Sequence, residues 1–147
     1  MTEAALRTLG LAHIGIAVPS IDAAIPAWES LGYRVRDREA IASMGLEVAF
    51  LDSGGAEGAT DGTLLELLEP TAADTPVGRF LESRRGGLHH LAFLVPDLEA
   101  ALRQAEALGL ELIDRTPREG SHGLRIGFLH PRSFHGVLVE LCQRRNA

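Results

Sequence analysis

Residues 13 to 35 align with residues 90 to 112 at a constant offset of 77, HIGIAVPSIDAAIPAWESLGYRV against HLAFLVPDLEAALRQAEALGLEL. His13 falls on His90, Val18 and Pro19 on Val95 and Pro96, and Leu31 and Gly32 on Leu108 and Gly109. A histidine, a proline and a glycine shared in the same frame as an apolar pattern mark a duplication. Any fold proposed for this chain must therefore build one small unit twice.

Each copy opens on an apolar run, His13 to Val18 or His90 to Val95, short and β-branched enough to be a strand. Proline ends it. Ser20 or Asp97 then caps a helix whose apolar positions recur at helical spacing, Ile21, Ile25, Trp28 and Leu31 in one copy, Leu98, Leu102, Ala105 and Leu108 in the other. Gly32 and Gly109 stop these helices. Three further strands follow in each half: Tyr33 to Asp37, Leu46 to Asp52 and Thr63 to Leu68, then Glu111 to Arg115, Arg125 to Leu129 and Gly136 to Cys142. Both halves read as βαβββ, at about 10 to 70 and 87 to 143 of one domain spanning 1 to 147. The stretch from Ser53 to Gly62, SGGAEGATDG, has the composition of a flexible loop. A linker at about 71 to 86 carries a short helical pattern in Val77, Phe80 and Leu81.

Composition narrows the possible functions. With 147 residues, 46% of them hydrophobic, the chain can bury a core. A net charge of -6 gives no general affinity for nucleic acid or an anionic membrane. An anionic substrate would need a local basic patch, for which Arg79, Arg84, Arg85, Arg118, Arg125 and Arg132 are the candidates against the plainer reading of scattered surface arginines. The one cysteine, Cys142, excludes an intrachain disulfide and a cysteine-based metal cluster. No run is long and apolar enough to span a membrane, and the N-terminus lacks the order of a secretory signal, so the expected location is cytoplasmic. A nucleophilic serine turn of the Gly-x-Ser-x-Gly type and a glycine-rich phosphate loop are both missing.

The last strands of the two halves also correspond, Leu65-Glu66-Leu67 with Val139-Glu140-Leu141, at an offset of 74. Both glutamates have apolar neighbours on either side, so they are expected to point somewhere enclosed. A carboxylate there costs of order several kcal/mol unless it is paired or bound to a cation. Each half thus contributes one strand histidine and one strand glutamate, and packing of the halves about a pseudo-twofold axis would gather two of each. Such a mixed nitrogen and oxygen set suits a first-row divalent ion with positions left open, which a Lewis-acid catalyst requires. Cobalt, manganese, nickel, iron and zinc all remain open. Taken alone, a strand histidine is more often structural than a ligand; the repetition favours the metal. His89 has the opposite strand parity to His90 and is expected to be structural or supporting.

The assembled residues resemble the vicinal oxygen chelate superfamily, which includes glyoxalase I, extradiol dioxygenases and antibiotic-resistance binding proteins. Within it they are most similar to the methylmalonyl-CoA epimerases. The resemblance runs from about Leu11 to Gln143, through LAHIGIAVPSID, ELLEP at Glu66 to Pro70, GGLHHLAFLV at Gly86 to Val95, GSHGLRIGFLHP at Gly120 to Pro131 and HGVLVELCQ at His135 to Gln143. It implies an α+β fold, two βαβββ modules forming a curved mixed sheet around a metal-binding cleft. The implied ligands are His13, Glu66, His90 and Glu140, holding a divalent ion, cobalt first and manganese, nickel or zinc next. The first-half carboxylate is a glutamine in some epimerases.

The implied chemistry interconverts (R)- and (S)-methylmalonyl-CoA by proton abstraction at C2 through a metal-stabilised enolate. Glu140 would be one base. In some relatives the opposite base is a glutamate on the strand beginning here at Leu46, and the residue at that place is Val48. Glu47 is adjacent and becomes the second catalytic candidate if a local shift or bulge turns it inward, with His122 or Glu66 as the other choices; a plain surface role is the competing reading. An acyl-CoA substrate and a homodimer complete the implied picture. The alternatives are a glyoxalase-like isomerase or lyase of the same superfamily, or a small-molecule binding or resistance protein.

Overall fold

The computed structural model describes residues 6–55, 57 and 62–145. The chain divides into two compact units, His13–His89, called here the N-terminal unit, and Met1–Ala12 with His90–Ala147, called the C-terminal unit. Among the described residues, eight strands and three α-helices run in the order β1 (Leu11–Ala17), α1 (Ile21–Glu29), β2 (Arg34–Ile41), β3 (Leu46–Asp52), β4 (Leu64–Pro70), α2 (Pro76–Arg84), β5 (Gly87–Leu94), α3 (Leu98–Ala107), β6 (Arg118–Glu119), β7 (Arg125–Leu129) and β8 (Val139–Gln143). None of the described helices is long and apolar enough to cross a membrane.

The N-terminal unit orders its strands β2-β3-β4-β1, with β1 parallel to β4 and the other pairs antiparallel. The C-terminal unit follows the same plan, β6-β7-β8-β5, with β5 parallel to β8. Alternation along the strands gives each sheet two distinct faces. On one face of the N-terminal unit Ile16, Ala49, Leu51, Leu65 and Leu67 pack against Ile21, Ile25 and Trp28 of α1. On the other, Ala17, Ile41, Leu46, Val48, Phe50 and Leu68 pack against Val77, Phe80 and Leu81 of α2. In the C-terminal unit, Leu129, Val139 and Leu141 meet Leu98, Ala101, Leu102 and Ala105 of α3. Gly127 lies directly under α3; a Cβ there would stand 3.0 Å from Leu102 Cδ2.

Both helix starts are built as the sequence predicts. The Ser20 hydroxyl accepts from the Ala23 amide at 3.2 Å, and the Asp97 carboxylate accepts from the Ala100 amide at 3.1 Å. A second device repeats beside each cap. Glu69 Oε1 accepts from the Ile21 amide at 2.7 Å, and Gln143 Oε1 accepts from the Leu98 amide at 2.8 Å. Glu69 and Gln143 each follow the buried glutamate of their strand by three residues. Each first helix is thereby tied to the strand that carries the site, and its first orphan N–H is satisfied. Gly32 and Gly109, at φ +90° and +87°, take the left-handed conformation that ends the helices.

Several boundaries differ from the sequence reading; the last strand, expected at Gly136 to Cys142, runs from Val139 to Gln143, and the strand expected at Thr63 to Leu68 runs from Leu64 to Pro70. Leu31, expected on the buried stripe of α1, is 69% exposed because the helix ends at Glu29 and Leu31 falls in the turn. The strand expected at Tyr33 to Asp37 runs on to Ile41, with a register shift between Val35 and Asp37. Glu111 to Arg115 is not a strand; it makes one isolated bridge, Leu112 with Leu129. The reason is local. Asp114 Oδ2 takes the Phe128 amide at 2.8 Å, while the Ile113 and Asp114 amides both converge on the Phe128 carbonyl, so a side chain replaces the next rung of the ladder. The helix expected in the linker is α2. Of the loop expected at Ser53 to Gly62, residues 56 and 58–61 lie outside the described residues.

Candidate active site

In the N-terminal unit, parallel pairing places Gly15 beside Glu66, and strand parity puts His13 on the same face. His13 and Glu66 are 2% and 4% exposed, and His13 Nε2 stands 3.4 Å from Glu66 Oε1. Phe50 pairs with Glu66 across β3 and β4 and turns its ring edge-on to His13, with centroids 5.4 Å apart and planes at 84°.

The C-terminal unit repeats this arrangement. Ala92 pairs with Glu140, which puts His90 on the glutamate's face, and His90 Nε2 stands 3.4 Å from Glu140 Oε2. His90 and Glu140 are 5% and 4% exposed. Phe128 pairs with Glu140 and meets His90 edge-on at 5.9 Å and 89°. Phe50 and Phe128 are 78 residues apart, a third repeated position beside the histidines and glutamates, legible in the alignment once the strands are paired.

The separation within each pair bears on what it can hold. A well-formed N–H···O hydrogen bond spans about 2.7–3.2 Å, so 3.4 Å is long for one. Two donors on one ion, each at about 2.1 Å, stand ~3.0 Å apart at a right angle and ~3.4 Å apart at the tetrahedral angle. Two buried carboxylates, each beside a buried imidazole at that spacing, fit a divalent cation. The ring edges of Phe50 and Phe128 limit rotation of the two imidazoles.

The other sequence candidates lie elsewhere. Glu47 is exposed and pairs with Glu69 in β4 and with Ala40 in β2, on the face covered by α1 and away from Glu66. The β3–β4 register is continuous from Leu46 to Leu51, so the bulge that would turn Glu47 inward is not formed. Glu47 instead contributes to the field around Arg38. The hydrogen bond to Asp22 raises the guanidinium above its ordinary value, and the charges of Asp22, Glu47 and Glu69 add to the effect. His122 is exposed and holds φ +57° in the 3-10 turn Ser121–Gly123. Its neighbour Ser121 is buried, a polar residue that sequence reasoning passed over. This turn lies against Ile126, since a Cβ on Gly120 would meet Ile126 Cγ2 at 2.7 Å. His89, half-buried, meets Phe80 edge-on at 4.9 Å, in keeping with a structural role.

Most of the candidate basic residues are engaged locally. Arg125 pairs with Glu99 at 2.8 Å, Arg132 with Glu111 at 3.2 Å and Arg118 with Asp114 at 3.4 Å. Arg79 donates to the Asp74 carbonyl, and Arg84 lies over the Phe80 ring. Arg118 differs from the rest because its guanidinium also sits 5.3 Å above the Phe128 ring, on the Glu140 face of the sheet. It is a cation held near the buried pair.

Two copies of a βαβββ module, each presenting a histidine from its first strand and a glutamate from its last, define the vicinal-oxygen-chelate class of protein. Comparison with known proteins agrees. Residues 12–128 match the model of the glyoxalase/bleomycin resistance protein/dioxygenase superfamily, and the chain belongs to that superfamily. An uncharacterised protein of Bacillus subtilis is 43% identical over 134 residues, covering 90% of this chain and 91% of the relative. The ethylmalonyl-CoA/methylmalonyl-CoA epimerase of Cereibacter sphaeroides is 35% identical over 136 residues, covering 90% of this chain and 96% of the relative. Among solved structures, the methylmalonyl-CoA epimerase of Streptomyces coelicolor in complex with 2-nitronate-propionyl-CoA superposes with a TM-score of 0.87 at 34% identity, covering 95% of this chain and all of the other.

Proposed function

We propose that this chain is a metal-dependent epimerase that interconverts (R)- and (S)-methylmalonyl-CoA. The observation that carries the reading is the buried histidine–glutamate pair, built twice at the same spacing. The similarity to enzymes named for this substrate supports it. His13, Glu66 and His90 form a donor set of the kind that holds a metal ion, and we assign Glu140 as the fourth ligand. A divalent cation bound by these residues supplies Lewis acidity toward the oxygens of the substrate.

The remaining chemistry belongs to the protein. Loss of the C2 proton pushes negative charge onto the thioester oxygen, so the site must lower the cost of that charge and supply a group to take the proton. Glu140 is that group. Its burial in an apolar strand, between Val139 and Leu141, keeps water from competing with it. Phe50 and Phe128 hold the two imidazoles in one orientation, so that the donors do not have to reorganise when substrate arrives. Three finer assignments go with this reading: cobalt as the ion and a homodimer, both carried by the family resemblance, and a cytoplasmic location, in keeping with a single buried free cysteine.

The test is NMR of methylmalonyl-CoA in deuterated buffer, with metal-stripped protein before and after addition of cobalt. Metal-dependent replacement of the C2 hydrogen with inversion of configuration is expected. Binding of cobalt without exchange would move the protein to a glyoxalase-like or ligand-binding role.

A further inference from the structure

Of the arginines that the sequence offers to an anionic substrate, one stands beside the buried histidine–glutamate pair of the C-terminal unit. We propose that Arg118 binds the free carboxylate of a 2-carboxyacyl thioester and so selects substrates that carry one, an inference that rests on the epimerase reading above.

Strand register sets the direction of Arg118. It pairs with Ile126 across β6 and β7, and Ile126 lies two residues from Phe128, which pairs with Glu140. Directly paired residues share a face, and residues two apart along a strand share it as well. Arg118, Ile126, Phe128 and Glu140 therefore point to one side of the C-terminal sheet. Helix α3 covers the other side, where Leu129, Val139 and Leu141 pack. Contact gives the same parity independently. The Arg118 guanidinium lies 5.3 Å from the centre of the Phe128 ring, and that ring meets His90 at 5.9 Å. One benzene ring separates the cation from the pair.

The guanidinium is held in place without being saturated. Its Nε stands 3.4 Å from Asp114 Oδ2, the same oxygen that accepts the Phe128 amide at 2.8 Å. One carboxylate thus fixes both the strand that carries the ring and the cation that lies over it. Among the described residues, no partner meets Nη1 or Nη2 of Arg118, and 47% of the side chain is exposed. A planar fork with free donors matches the two oxygens of a carboxylate. Neighbouring arginines are engaged elsewhere. Arg125 has the opposite parity and pairs with Glu99 of α3, while Arg115 pairs with Glu106 and Arg132 with Glu111. Glu119, next to Arg118, alternates to the α3 side and pairs with Arg145, so it does not compete for the fork.

Methylmalonyl-CoA carries two kinds of oxyanion, the acyl carboxylate and the phosphates of CoA, and an arginine fork recognises either. Position decides between them. The carboxylate is bonded to C2, the carbon that loses its proton, whereas the phosphates lie a pantetheine arm away. A cation one ring from His90 is placed for the nearer anion. Neutralising that carboxylate also eases the build-up of further negative charge on the thioester as the C2 proton leaves.

The experiment is calorimetric titration of the cobalt-loaded wild type, Arg118→Gln and Arg118→Lys with racemic methylmalonyl-CoA, propionyl-CoA and CoA. The first two ligands differ by the one carboxylate. Wild type should prefer methylmalonyl-CoA. Arg118→Gln should weaken its binding by about 10- to 10²-fold, the worth of a charge-assisted pair, and leave propionyl-CoA and CoA unchanged. Arg118→Lys, which keeps the charge without the fork, should lose a smaller part. Metal content and melting temperature should match wild type in both variants. Equal weakening toward all three ligands would assign Arg118 to the phosphates and overturn the carboxylate role. An unchanged preference in Arg118→Gln, or a wild type that inverts methylmalonyl-CoA without preferring it to propionyl-CoA, would overturn the role and leave the epimerase reading intact. A wild type that neither prefers nor inverts methylmalonyl-CoA would remove both.

Discussion

The two units are one design executed with different strictness in different places. The inner strands agree closely. His13, Phe50 and Glu66 recur as His90, Phe128 and Glu140, with the same 3.4 Å separation of histidine and glutamate, and the tie from Glu69 to α1 recurs from Gln143 to α3. The outer strands diverge. The N-terminal unit has β2, eight residues long, with Glu39 opposite Val48; the C-terminal unit has two residues of β6, with Arg118 opposite Ile126. Corresponding places on the site face thus carry an acid in one unit and a cation in the other. After duplication, the positions that hold the pairs tolerate little change, because a buried carboxylate needs its partner at a fixed distance. The rim is solvated and free to specialise.

That contrast can be broken by mutating equivalent positions in both units. The largest asymmetry is expected at the glutamates. Glu140→Gln should reduce epimerisation by about 10³-fold or more with an unchanged circular dichroism spectrum, since it removes a proton-transfer group. Glu66→Gln should cost less than ~10-fold, because an amide oxygen still serves as a ligand. Equal losses in the two variants would mean that both glutamates act only as ligands. The histidines should behave alike: His13→Ala and His90→Ala are each expected to weaken cobalt binding by at least about 10²-fold in calorimetric titration. A large difference between them would show that one pair dominates.

Smaller effects test the structural half of the comparison. Glu69→Ala and Gln143→Ala should each lower stability by about 1 kcal/mol in urea denaturation, the worth of a helix-terminal hydrogen bond. The Glu69 variant should lose somewhat more if its charge adds to the helix-dipole interaction. Glu47→Gln, on the far face of β3, should change stability by less than about 0.5 kcal/mol and leave turnover at the wild-type rate. A substantial fall in turnover would show that the face assignment of Glu47 does not hold during catalysis.

Much of this was readable along the chain. The repeat identified both modules, the caps at Ser20 and Asp97, the strands Leu46 to Asp52 and Arg125 to Leu129, and the enclosed Glu66 and Glu140, because periodicity and capping chemistry are local properties of a few neighbouring residues. The reading faltered where a side chain competed with the backbone. Asp114 replaced a ladder rung and dissolved an expected strand, and the turn after Glu29 left Leu31 outside the core. It also passed over Phe50, Phe128 and Ser121. None of these stands out in the sequence, since their significance depends on which residue lies across the next strand.

The sequence by itself determined that a βαβββ unit occurs twice and that a histidine and a glutamate are repeated with it. Only the tertiary structure decided which residues share a face. Register between strands distant in the chain is set by side-chain packing and hydrogen-bonding geometry, and a shift of one residue reverses every side chain. That is why Glu47, adjacent to Val48 in the chain, lies away from Glu66, while Glu39, twenty-seven residues before Glu66, shares its side of the sheet.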